Sequence, residues 1–260
     1  MFSFRLTASA LTFALMAQAA SANEIVPPRE TSRPLTLGLV AGYVDKPYSA
    51  LDDDAKRVVA PLVLWEGERF FWRGASGGYK FVNRPDFEVA ALASYRGTMG
   101  YDSSDSNVLR GMDDRDGTLD GGLHIIWKPG DFGLKLRMEH DLLDEHGGYE
   151  VTGEGFYQVR SGNWSNRFSA GVVYQSDDLV DYYFGVKNKE ALPGRPAYSA
   201  DAETNFRLGA VTVYRPEGSK WSFLLGGRYD MFGDEIDDSP ITNDDAQLMV
   251  IAGFGYTFGI

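Results

Sequence analysis

Three histidines, His124, His140 and His146, are all the imidazole this chain has. A hydrolytic site would need one of them beside a serine and an orienting partner. Ser103, Ser104, Ser106 and Ser239 are the serines whose segments could approach His146. The Gly-x-Ser-x-Gly turn that presents a nucleophilic serine is absent. A second chemistry is offered by carboxylates: Asp52-Asp53-Asp54, then Asp113, Asp114 and Asp116, then Asp234, Glu235, Asp237, Asp238, Asp244 and Asp245. Such oxygens suit Ca²⁺, but none of these runs has the Asp-x-Asp-x-Asp-Gly spacing of an EF-hand loop. They read as solvated loops. Cysteine is absent, which removes disulfides, thiolate metal sites and thiol nucleophiles. No phosphate-binding Gly pattern opens a helix. The expectation is therefore no catalytic residue, no cofactor and no resident metal.

A third set of residues is more regular. Arg96, Lys135, Arg137, Glu139, Arg167, Arg207, Arg228 and Asp230 lie inside segments that alternate strictly between apolar and other residues. In 132–142, Phe132, Leu134, Leu136, Met138, His140 and Leu142 take one side, and Gly133, Lys135, Arg137, Glu139 and Asp141 the other. That is the period of a β-strand, not of an amphipathic helix. The pattern recurs in 118–128, 164–176, 203–214, 220–231 and 246–260. Each apolar row carries aromatics near its ends, among them Trp127, Trp164, Tyr174, Tyr214, Trp221 and Tyr229.

Those ends decide between two all-β architectures. A soluble sandwich turns plain polar residues to water. Here the second face mixes glycines with charges of both signs, as a narrow lumen requires. Trp and Tyr at strand ends suit the boundary between hydrocarbon and headgroups. The eight charges above then form a paired network inside a barrel, or alternatively line a selective pore. Burial demands the pairing.

The first 22 residues read as an export signal. Arg5 supplies the positive end, Leu6 to Ala19 the apolar stretch and Ala20-Ser21-Ala22 the cleavage site. Residues 23–34, with Pro27, Pro28 and Pro34, read as a periplasmic leader. Lys plus Arg number 25 against 37 Asp plus Glu, a net charge of −12, so a nucleic-acid partner is not expected. Connections alternate between tight turns, such as 129–131, 161–163 and 216–219, and long loops at 45–56, 102–117, 177–201 and 232–245. Outer-membrane barrels have this asymmetry. Residues 35–260 thus read as a transmembrane antiparallel up-and-down β-barrel. Twelve strands fit best. Ten is the other even count, and reading Phe70 to Phe81 as one strand would give eleven.

Several stretches resemble the MipA/OmpV family, named for MltA-interacting protein. They are Leu37-Gly38-Leu39 with Ala41-Gly42-Tyr43, then Glu68 to Gly74, Tyr183 to Val186, Leu192 to Ala202, Asp238-Ser239-Pro240-Ile241, and Gly253 to Phe258.

 The core at 196–198 is Pro196-Ala197-Tyr198, and it follows Tyr183 to Val186 within the run from Leu192 to Ala202. Together these stretches span 35–258. The resemblance implies an outer-membrane protein whose named member is a scaffold linking a murein transglycosylase to a murein synthase. Other members are described as antigens or adhesins, and the family assigns no catalytic residues. The expected function is a non-enzymatic adaptor for periplasmic murein enzymes in the cell outer membrane. A small-solute channel and a surface adhesin are the alternatives. The expected surroundings are outer-membrane lipid and lipopolysaccharide, with divalent bridging from the acidic loops to lipopolysaccharide phosphates a weaker possibility.

Overall fold

The computed structural model describes residues 34–48, 55–97 and 99–259. The export signal, nearly all of the 23–34 leader and Asp52-Asp53-Asp54 lie outside the described residues. Twelve antiparallel strands close into a barrel in which each strand pairs with its sequence neighbour and β1 pairs with β12. In order they are β1 (Leu35–Asp45), β2 (Ala55–Glu66), β3 (Phe70–Arg73), β4 (Ser76–Arg84), β5 (Phe87–Arg96), β6 (Thr118–Trp127), β7 (Phe132–Asp141), β8 (Tyr149–Ser161), β9 (Trp164–Gln175), β10 (Glu203–Tyr214), β11 (Trp221–Met231) and β12 (Ala246–Phe258). Among the described residues two helices sit in the long loops: α1 (Asp177–Phe184) and α2 (Asp234–Asp237).

The doubtful stretch Phe70 to Phe81 is two strands, which restores the even count. Gly74, at φ 62°, makes the tight turn between them. The resulting β3 is short and pairs only with Leu64, Trp65 and Glu66 of β2. The Gly74 N–H donates to the Val63 carbonyl, so odd-numbered residues of β2 direct their backbone groups to that side. Pro61 therefore lacks its N–H on the side where β3 has already turned back, a position at which a strand tolerates proline.

Alternation sorts the side chains. Leu123, Leu136, Phe206 and Phe223 are among the large apolar residues on the outer wall, exposed in the isolated chain and placed to meet lipid. The inner wall has two halves. On β1, β2 and β10–β12 it is apolar, with Val40, Leu62, Val211, Leu224, Met249 and Ile251 packed together across the lumen. On β5–β9, with parts of β10 and β11, it is charged. Apart from the Gly74 turn between β3 and β4, the short connections and both strand termini of the barrel share one end. The long loops gather at the other, and by that asymmetry the short end is periplasmic.

Candidate functional site

The register sets like charges against each other. Asp120 faces Asp141 across β6 and β7, and Glu139 faces Glu150 across β7 and β8. Arginines resolve both conflicts. Arg96 donates to Asp120 at 2.6 Å and to Glu150 at 2.9 Å. Arg137 pairs with Glu139, which also accepts from the Ser94 hydroxyl. Arg167 reaches Glu154 at 2.9 Å and lies 3.7 Å over the Phe156 ring. Arg207 and Arg228 share Asp230, at 2.5 and 2.8 Å. Lys135 occupies a half-buried inward position on β7.

A second cluster lies toward the short-turn end, on strands whose alternation was hard to read. Arg73 bridges Glu66 at 2.5 Å and Glu88 at 3.0 Å. Lys80 holds Glu66 at 2.5 Å, and His124 meets Glu88 at 2.7 Å. Glu66 ends β2, Arg73 lies on the four-residue β3 and Lys80 beside a register shift in β4, so no clean period marks them as inward charges.

The six aromatics occupy outward positions. Trp127, Trp164, Tyr214 and Trp221 lie at strand ends beside the short turns, with the Trp164 and Tyr214 rings 4.6 Å apart. Tyr174 and Tyr229 lie toward the loop end.

The acidic loops carry solvated carboxylates and also enclose an apolar core. Asp114, Asp116, Asp234, Asp237, Asp238, Asp244 and Asp245 do face solvent. Beneath them Tyr48, Tyr101, Leu109, Tyr183, Phe184 and Ile236 join one buried apolar cluster that caps the barrel. In α1 the buried Leu179, Val180, Tyr183 and Phe184 share a helical face, and Asp177 and Asp178 sit at its positive end. Arg115 and Glu190 form an ion pair inside the cap, with side chains 2% and 1% exposed. Burial pushes the Tyr48 and Tyr183 phenols above their ordinary range. At the cap surface, hydrogen bonds from Lys189 and Lys187 lower the Asp113 carboxyl to about 2.

Where cap meets barrel, Asp120, Asp141 and His146 bring potential ligand atoms within 4.8 Å of one another. Asp141 and His146 are already fully engaged, and Asp120 binds Arg96 and His146. The Gly148 N–H donates to His146 Nδ1 at 3.0 Å, which puts the ring proton on Nε2, facing Asp120 at 3.3 Å. Asp141 accepts from the Thr118 hydroxyl and from the backbone N–H groups of Leu143, His146 and Gly147. A cation would have to displace these bonds, so the donor set does not fit a metal and instead ties the 142–148 loop to the barrel. The same bonds leave His146 without a free nitrogen to serve as a base. Ser239 is also engaged, donating to the Phe184 carbonyl at 2.6 Å. His140 sits on the outward row of β7, with Nδ1 2.8 Å from the Gly148 carbonyl.

A closed antiparallel barrel with an apolar outer wall, a filled interior and one end of long loops is an outer-membrane β-barrel. The family model for MltA-interacting protein MipA matches residues 37–258, and the chain belongs to that family. It is 33% identical to outer membrane protein OmpV of Vibrio cholerae over 196 residues, covering 75% of this chain and 76% of that one. It is 28% identical to MltA-interacting protein of Escherichia coli K12, covering 86% of this chain and 90% of that one. Among solved structures, an outer membrane channel from Pseudomonas putida F1 matches with a TM-score of 0.40 and 10% identity, covering 90% of this chain and 100% of that one. The protein is an outer-membrane barrel of the MipA/OmpV family.

Proposed function

We infer that the protein is a non-enzymatic adaptor that presents its periplasmic rim to murein enzymes, a transglycosylase and a synthase. The observation that carries this reading is the filled and capped barrel. Apolar packing occupies one half of the lumen, paired charges the other, and the cap covers the loop end. The interior is spent on stability, so the rim formed by the short turns is the surface left for periplasmic partners. The printed name of the Escherichia coli relative, MltA-interacting protein, supports the same direction.

The test is retention of periplasmic extract on the immobilised, refolded mature chain, with an unrelated barrel as control. A murein transglycosylase or synthase should be retained selectively. Replacing the turns at 128–131 and 215–220 with those of the control barrel should abolish that retention. Equal retention on the control, or retention that survives the turn replacement, overturns the reading.

A further inference from the structure

We propose that the lumen holds one small planar oxyanion, of the size of formate, nitrate or bicarbonate, between Arg167, Arg207 and Arg228. These three arginines line a cavity of about 30 Å³ together with Glu154, Ser169 and Gly209. A water-sized centre needs roughly 10–15 Å³, so there is room for two or three such groups.

Positive charge is concentrated around this space. Three guanidinium groups line it, with Glu154 on its wall and Asp230 beside Arg207 and Arg228. Asp230 is divided between Arg207 and Arg228. The Arg228 Nε lies 2.8 Å from that carboxylate, yet it is buried without an aligned hydrogen bond. Glu150 is a further negative charge nearby, but its oxygens are taken by Arg96, Gln175 and Thr152. One monoanion in the cavity would bridge the three guanidinium groups.

The shape is built into the strands. Gly209 pairs with Arg228 on one side and Ser169 on the other. A Cβ at Gly209 would lie 2.6 Å from the Ser169 hydroxyl, so any side chain there would fill the cavity. Guanidinium forks match two oxygens of a planar anion better than they match a spherical ion, and the Ser169 hydroxyl adds a second kind of donor.

The experiment is calorimetric titration of the refolded mature chain with formate and with nitrate, at constant ionic strength set by gluconate. One saturable site is expected. Arg228→Gln should weaken it at least tenfold, and Gly209→Val should abolish it while the heat-modifiable migration of the folded barrel persists. Ser169→Ala, which leaves the cavity open, should weaken it less. An unsaturable response in the parent chain overturns the proposal. So does a saturable response that Gly209→Val and Arg228→Gln leave unchanged, because the ion would then bind elsewhere.

Discussion

Arg115→Met should open the cap without unfolding the barrel. The Arg115 side chain donates to the Tyr182 carbonyl at 2.5 Å, to the Asp113 carbonyl at 2.9 Å and to the Glu190 carboxylate at 3.3 Å. Its removal strands a buried carboxylate, a change that costs about 3–5 kcal/mol. Glu190 keeps two backbone donors, the N–H groups of Asp113 and Lys187, each at 2.9 Å. The cost should therefore fall at the low end, about 3 kcal/mol, or roughly a hundredfold in the population of the open cap. Proteinase K cleavage within 97–117 and 176–202 reads that population when opening and closing are fast. Glu190→Gln in the Arg115→Met background should recover part of the loss, because no buried charge then remains unpaired. Heat-modifiable migration should report an intact barrel throughout. A cleavage rate within about twofold of the parent would refute the cap as a cooperative unit held by this pair.

Two further outcomes follow from the same structure. Leu136→Arg, on the lipid face of β7 opposite Ile125, should cost about 2–4 kcal/mol in urea unfolding from phospholipid vesicles, and Leu142→Arg at the rim about 0–1; equal costs would mean the membrane is misplaced along β7. Alkaline titration should show two classes of tyrosine in phenolate absorbance. Burial raises Tyr48, Tyr101 and Tyr183, and burial with Glu235 beside it pushes Tyr198 up to about 12. A raised phenol contributes stability that is complete below its unfolded value of about 10 and is lost as pH rises through the folded value. The cap should accordingly loosen above about pH 10, and a single transition for all tyrosines would contradict its buried core.

Most of the barrel was legible because one face meets lipid and the other does not. β10 runs over the residues that alternation marked, and β7 and β9 differ by a residue. The apolar half of the lumen was not legible. In Ala60-Pro61-Leu62-Val63-Leu64-Trp65 both faces are apolar, so no contrast separates inside from outside. The cap was obscured differently. Its apolar residues come from several loops, 46–48, 99–112, 179–200 and 236–241, and none of these segments is hydrophobic enough alone to announce a core. Composition showed the acidic shell and hid what it covers. Of the charge network, the members on long strands could be listed from the sequence, but which arginine answers which carboxylate depends on register.

β1, β2 and β12, apolar on both faces over much of their length, lie together around the seam where the first strand meets the last. Before that seam closes, nothing shields them from water, and each is the kind of segment that self-associates. The unfolded chain's transit to the membrane is thus its most hazardous stage. Its carboxylate-rich loops, which contribute little to the lumen, keep the unfolded chains apart by mutual repulsion along the way.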